Sequence, residues 1–129
     1  MKTAKFLFTT LIAVASLSVT SCEKKDESSP EITLLEPREG DTISLSTDSV
    51  HIEFHIMDND EIHMAKVDVA QSGVNIFSNS NDVDAPMYHF HQHMKPQNIS
   101  AVTPLELTIT ASDHSGNQSS KKATFYVKP

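Results

Sequence analysis

Between residues 50 and 57, apolar and metal-ligand side chains alternate without a break. Val50, Ile52, Phe54 and Ile56 take one parity; His51, Glu53, His55 and Met57 take the other. A β-strand sends successive side chains to opposite faces, whereas a helix would scatter both sets around its circumference. The segment is therefore read as a strand with one face for a core and one face of imidazole, carboxylate and thioether groups. The same period returns at residues 87–94. Tyr88, Phe90 and Met94 take the core side, with Gln92 as an awkward polar member, while Met87, His89, His91 and His93 take the other side. A bulge near Gln92 would relieve that position.

Period two continues through most of the chain. Ile32, Leu34 and Leu35 suggest a first strand, ended by Glu36-Pro37-Arg38-Glu39-Gly40. Residues 50–56 make the second strand. Ala65, Val67 and Val69 make a third, and Val74, Ile76 and Phe77 a short fourth. Residues 88–94 are the fifth. Leu105, Leu107, Ile109 and Ala111 mark the sixth, and Ala123, Phe125 and Val127 the seventh. Asp58-Asn59-Asp60 reads as a turn, Ser78 to Asp82 as a loop, and Asp113-His114-Ser115-Gly116-Asn117 as a hairpin turn. No segment sustains a helical period. Seven short strands in this length imply an all-β, immunoglobulin-like two-sheet β-sandwich.

The N-terminus reads as an address. Lys2 and Lys5 precede a short apolar run, Phe6 to Val14, too short to span a bilayer stably. Val19-Thr20-Ser21-Cys22 resembles a bacterial lipobox, with Cys22 as the lipidated residue. Cys22 is the only cysteine, so no intramolecular disulfide can form. The expected organisation is a lipoprotein signal peptide over 1–21, the lipidated Cys and a flexible tether over 22–30, and one domain over 31–129. Loss of Lys2 and Lys5 leaves 8 basic against 17 acidic side chains, a net charge of −9. Such a surface repels nucleic acid and attracts cations.

Ile56-Met57-Asp58 through Val67-Asp68-Val69, followed by Ile109 to Asn117 with its Ala-x-Asp-x-x-Gly-Asn turn, resembles bacterial immunoglobulin-like and cadherin-like modules. The lipobox, the tether with its Lys25-Asp26-Glu27 run and the His91-Gln92-His93-Met94-Lys95 segment resemble a Bacteroidetes lipoprotein family. That family has no established activity. The resemblance implies a β-sandwich in the cell envelope, on an outer-membrane lipoprotein that is either periplasmic or surface-exposed.

In an immunoglobulin-like sandwich the second and fifth strands pair. Opposed residues then have Cβ atoms roughly 4.5–5.5 Å apart, close enough for two imidazoles to share one ion at about 2.0–2.1 Å. The candidate metal ligands are His51, Glu53, His55, His89, His91 and His93, with Met57 and Met87 as possible additions. Imidazole suits zinc, copper and nickel, and thioether favours Cu(I), so the methionines tilt the reading toward copper while Glu53 serves zinc equally. The plain alternative is a solvated His-rich face, whose charge follows pH. A weaker candidate is calcium at Asp58, Asp60 and Asp113, with Glu61, His63 and His114 nearby. The ordinary reading there is that Asp58 and Asp113 hydrogen-bond their own turns.

Nothing in the sequence suggests catalysis. There is no nucleophile elbow, no HExxH and no phosphate loop, and the chain has three glycines. Asp113, His114 and Ser115 are neighbours in a tight turn and so point apart. The expectation is a membrane-anchored, non-enzymatic metal-binding domain. Its rival is a surface interaction module that binds an envelope protein or a glycan without metal.

Overall fold

The alternation over residues 50–56 is the opening of a strand far longer than the pattern suggests. In the computed structural model, which describes residues 24–129, six strands form. They are β1 (Glu31–Glu36), β2 (Thr42–Ser44), β3 (Val50–Gln71), β4 (Val74–Met94), β5 (Thr103–Asp113) and β6 (Gln118–Lys128). No helix occurs among the described residues. The expected signal peptide over 1–21 and the expected lipidation site, Cys22, lie outside them.

Strand order is β1-β3-β5-β6-β2, with β4 on β3. All neighbours are antiparallel except β2, which runs parallel to β6. The first part of β3 pairs with β1, and its second part pairs with β5. β4 follows β3 along both parts. The long β3–β4 ribbon therefore passes from one layer to the other, and the sheet curls over itself into an immunoglobulin-like sandwich. Strands that switch sheets do so at bends and bulges. Here the ladder slips between Met57 and Ile62 and again between Ile62 and Met64.

Two expected breaks are thus absent. Asp58-Asn59-Asp60 does not end a strand; Asp58 Oδ1 accepts the Asp60 amide at 2.9 Å inside an irregular stretch of β3. Ser78 to Asp82 is not a loop but part of β4, opposite Asp68 to Met64. Turn-forming side chains are tolerated there because β4 is an edge strand, paired on one side only. The seven expected strands become six because two pairs fuse and β2 is new. No bulge forms at Gln92: the register is unbroken from Val50↔Met94 to Met57↔Met87, and Gln92 is exposed.

The core forms where the alternation places it. Val50, Ile52, Phe54, Ile56 and Phe90 meet Val67, Val69, Leu105, Leu107, Ile109, Phe125 and Val127 in one cluster. Phe54 and Phe90 stack with centroids 4.9 Å apart. Each large apolar side chain fully buried contributes about 1.5–3 kcal/mol, so this core holds the opposite, ligand-bearing face in place.

Candidate metal centre

Ladder register decides which ligands meet. Across β3 and β4, His51 faces His93, Glu53 faces His91, His55 faces His89 and Met57 faces Met87. The core parity of β3 is buried, so these eight side chains share the outer face. The six nitrogen and oxygen ligands resolve into two groups. His51, His91 and His93 form one; Glu53, His55 and His89 form the other. Within each group the ligand atoms lie within 4.8 Å of one another. Side-chain rotation over a fixed backbone brings such atoms to the spacing that ligands about 2.0–2.1 Å from one zinc require.

The imidazoles of the first group are already oriented. His51 Nδ1–H donates to Glu36 Oε2 at 2.9 Å, which turns Nε2 toward the Glu53 carboxylate, 3.8 Å from its Oε2. That Nε2 is buried and has no hydrogen-bond partner. The His51 ring stacks on His93 at 4.5 Å and meets His91 edge-on at 4.4 Å. His93 Nδ1 in turn lies 3.0 Å from Ser49 Oγ. A carboxylate or hydroxyl on one ring nitrogen fixes the ring and makes the other nitrogen a better ligand. A ring nitrogen shielded from water and without a hydrogen bond is a cost that a bound cation would remove.

The second group carries the charge. His89 Nε2–H donates to Glu53 Oε1 at 2.8 Å, and His55 meets His89 edge-on with centroids 4.5 Å apart. The hydrogen bond from His89 holds the Glu53 carboxyl below its usual range. Burial opposes this, and the neighbouring imidazoles of His89, His51 and His91 add to it. The two groups adjoin: His89 and His91 are parallel with centroids 6.5 Å apart. Met57 and Met87 close the stripe as an opposed pair, 58% and 63% exposed.

The expected acidic cluster assembles differently. Asp58 and Asp113 come together with Asp26 of the tether, not with Asp60. Asp60 instead supplies the backbone amide that Asp58 accepts. Asp113, 3% exposed, takes the Asn117 amide at 2.8 Å and the Asn117 Nδ2 at 2.7 Å, holding its own turn. The Asp26 carbonyl also accepts from Asn117 Nδ2, which ties that part of the tether to the β5–β6 turn. The backbone amide of Ser28 and the Asn59 side chain hold the Asp26 carboxyl low. His63 and His114 leave this cluster and join Asp84. Asp84 went unnoticed in the sequence because it sits where the alternation is weakest and its partners are 21 and 30 residues away.

No family model matches the chain, and no curated protein matches it. Solved structures share its outline. The E. coli chaperone DraB superposes at TM-score 0.49 with 5% identity, over 77% of this chain and 55% of the chaperone. This chain thus spans little more than half the chaperone's length. Fibronectin(III)-like modules of Clostridium thermocellum CbhA give 0.44 with 16% identity, over 76% of this chain and 96% of theirs. A superoxide reductase (neelaredoxin) from Ignicoccus hospitalis gives 0.37 with 12% identity, over 76% of this chain and 80% of its own. These likenesses are distant, and the fold assignment rests on this chain's own strand order and register.

Proposed function

We propose that this protein is a lipid-anchored envelope domain that binds a transition metal, copper or zinc, on the outer face of the β3–β4 ribbon, without catalysing a reaction. The observation that carries the reading is the unpartnered, buried Nε2 of His51 among the rings of His91 and His93. The Glu53, His55 and His89 group would hold a second ion or share the first. Three protein ligands leave a coordination position open, which suits capture and handover better than permanent storage. Anchoring through Cys22 would place the site at a membrane surface, and the acidic mature chain would draw cations toward it.

A second reading is a partner-binding module without metal. It is favoured by β4, which pairs on one side only and so offers backbone groups along its outer edge.

Titration of the untagged chain with Cu(I), Cu(II), Zn(II) and Ni(II), with and without His91→Ala and His93→Ala, tests the proposal. Saturable binding at micromolar concentration or below, lost in the double variant, is expected. Weak, unsaturable binding that ignores the substitutions would leave the interaction module as the better reading.

A further inference from the structure

Beyond the histidine stripe, the ribbon's bend gathers a second set of donors. His63 comes from β3, Asp84 from β4 and His114 from the turn after β5. His114 Nε2 lies 2.8 Å from Asp84 Oδ1, the His63 and His114 rings have centroids 4.7 Å apart, and the three ligand atoms lie within 4.8 Å of one another. All three side chains are exposed.

We propose that His63, Asp84 and His114 form a separate site for a divalent first-row cation, of which zinc is the natural candidate. Two imidazoles and one carboxylate with open positions make a donor set suited to such ions. The site contains no thioether, so Cu(I) has no advantage there.

Each ligand sits where the regular pairing of the strands is interrupted or has ended. His63 falls within the second register slip of β3, between Ile62 and Met64. Asp84 has a left-handed backbone, φ 48°, costly for a residue with a Cβ. His114 is positioned by the turn that Asp113 and Asn117 pin beside it. Bulges and unusual φ values gather where a side chain must be re-aimed. The ordinary explanation, a surface His–Asp ion pair, accounts for His114 and Asp84 but not for the second imidazole.

The site would also cross-link the fold. An ion there ties the β5–β6 turn to β4, which share no ladder. Binding should therefore raise the midpoint of thermal unfolding.

The test uses the full untagged chain in which His51, His55, His89, His91 and His93 are all replaced by Ala. Far-ultraviolet circular dichroism checks that it remains folded. Co(II) serves as the spectroscopic probe, followed by displacement with Zn(II). The expected result is one Co(II) per chain with visible d–d bands of an N/O site and a raised unfolding midpoint. Further change of His63→Ala or His114→Ala should abolish both, and Asp84→Asn should weaken them. A folded stripe-free chain that binds no Co(II), or binds it regardless of His63 and His114, overturns the proposal. Either result leaves the stripe's own metal binding to be judged separately on the native chain. If the five-fold variant does not fold, the native chain carrying His63→Ala and His114→Ala decides the matter. One fewer bound ion is then expected, and an unchanged stoichiometry is the contrary result.

Discussion

His51 and His93 face each other across the β3–β4 ladder with their rings parallel to within 3° and 4.5 Å apart. Neither ring is free to choose that pose. Glu36 holds one from β1, and Ser49 holds the other from the segment before β3.

That support predicts an effect from a residue that would never touch the metal. Glu36→Gln removes the carboxylate that orients His51. Loss of such a partner costs about 10–100-fold in metal affinity. Calorimetric titration should show this loss with stoichiometry unchanged. An affinity equal to that of the native chain would mean that His51 is not a ligand.

Protons and metal compete for the same imidazole nitrogens. Binding to the stripe should weaken as pH falls from about 7.5 to about 5.5. Glu53, held low by His89, stays ionised across that window. Glu53→Gln should therefore reduce affinity and move the midpoint of acid release to higher pH, because a weaker site yields its ion to fewer protons, as read from bound metal after dialysis at a series of pH values.

Asp68 ties the two long strands together. Lys66 Nζ reaches its Oδ2 at 2.8 Å, while Ser78 Oγ and Asn75 Nδ2 donate to Oδ1 at 2.7 and 3.0 Å. Burial pushes the carboxyl up, but these donors outweigh it, and the group lies below its usual range. A depressed pKa stabilises the fold above the unfolded value and loses that effect as pH falls through the folded one. Asp68→Asn should cost about 1–2 kcal/mol near neutrality, allowing for partial exposure. The gap to the native chain should close below the ordinary aspartate range of about 3.9, as measured by urea denaturation.

Phe54 is buried behind Glu53 and His55 and stacks on Phe90. Phe54→Ala should destabilise the domain by about 3–5 kcal/mol. Because both halves of the stripe rest on this pair, metal affinity should fall as well. Chemical denaturation and titration of the same variant would report both effects.

The fold class and the stripe were legible because both follow from one period of two. Once Val50, Ile52, Phe54 and Ile56 are buried, the placement of His51, Glu53 and His55 is settled, and Phe90 fixes the parity of His89, His91 and His93. Strand ends were poorly legible. Ser78 to Asp82 carries turn-forming side chains yet stays extended, because its partners on β3 and not local preference decide pairing, whereas Asp58 to Asp60 has no ladder partner and makes the irregular step within β3. The division of six ligands into two triads needed the register, which no single strand contains. Asp84 and the docking of Asp26 depend on contacts distant in sequence and had no local signal.

The sharing of β3 and β4 between both layers has a mechanical consequence. A sandwich joined only by loops can open along its seam, one sheet peeling from the other. Here two strands, not loops, cross that seam, with their ladder interrupted only between Met57 and Ile62, so parting the layers means bending both strands at that step against the pairing on either side. Opening motions should therefore concentrate in β1, β2 and residues 58–61, and the paired residues of β3 on either side of that step should exchange their amide protons only when the whole domain unfolds.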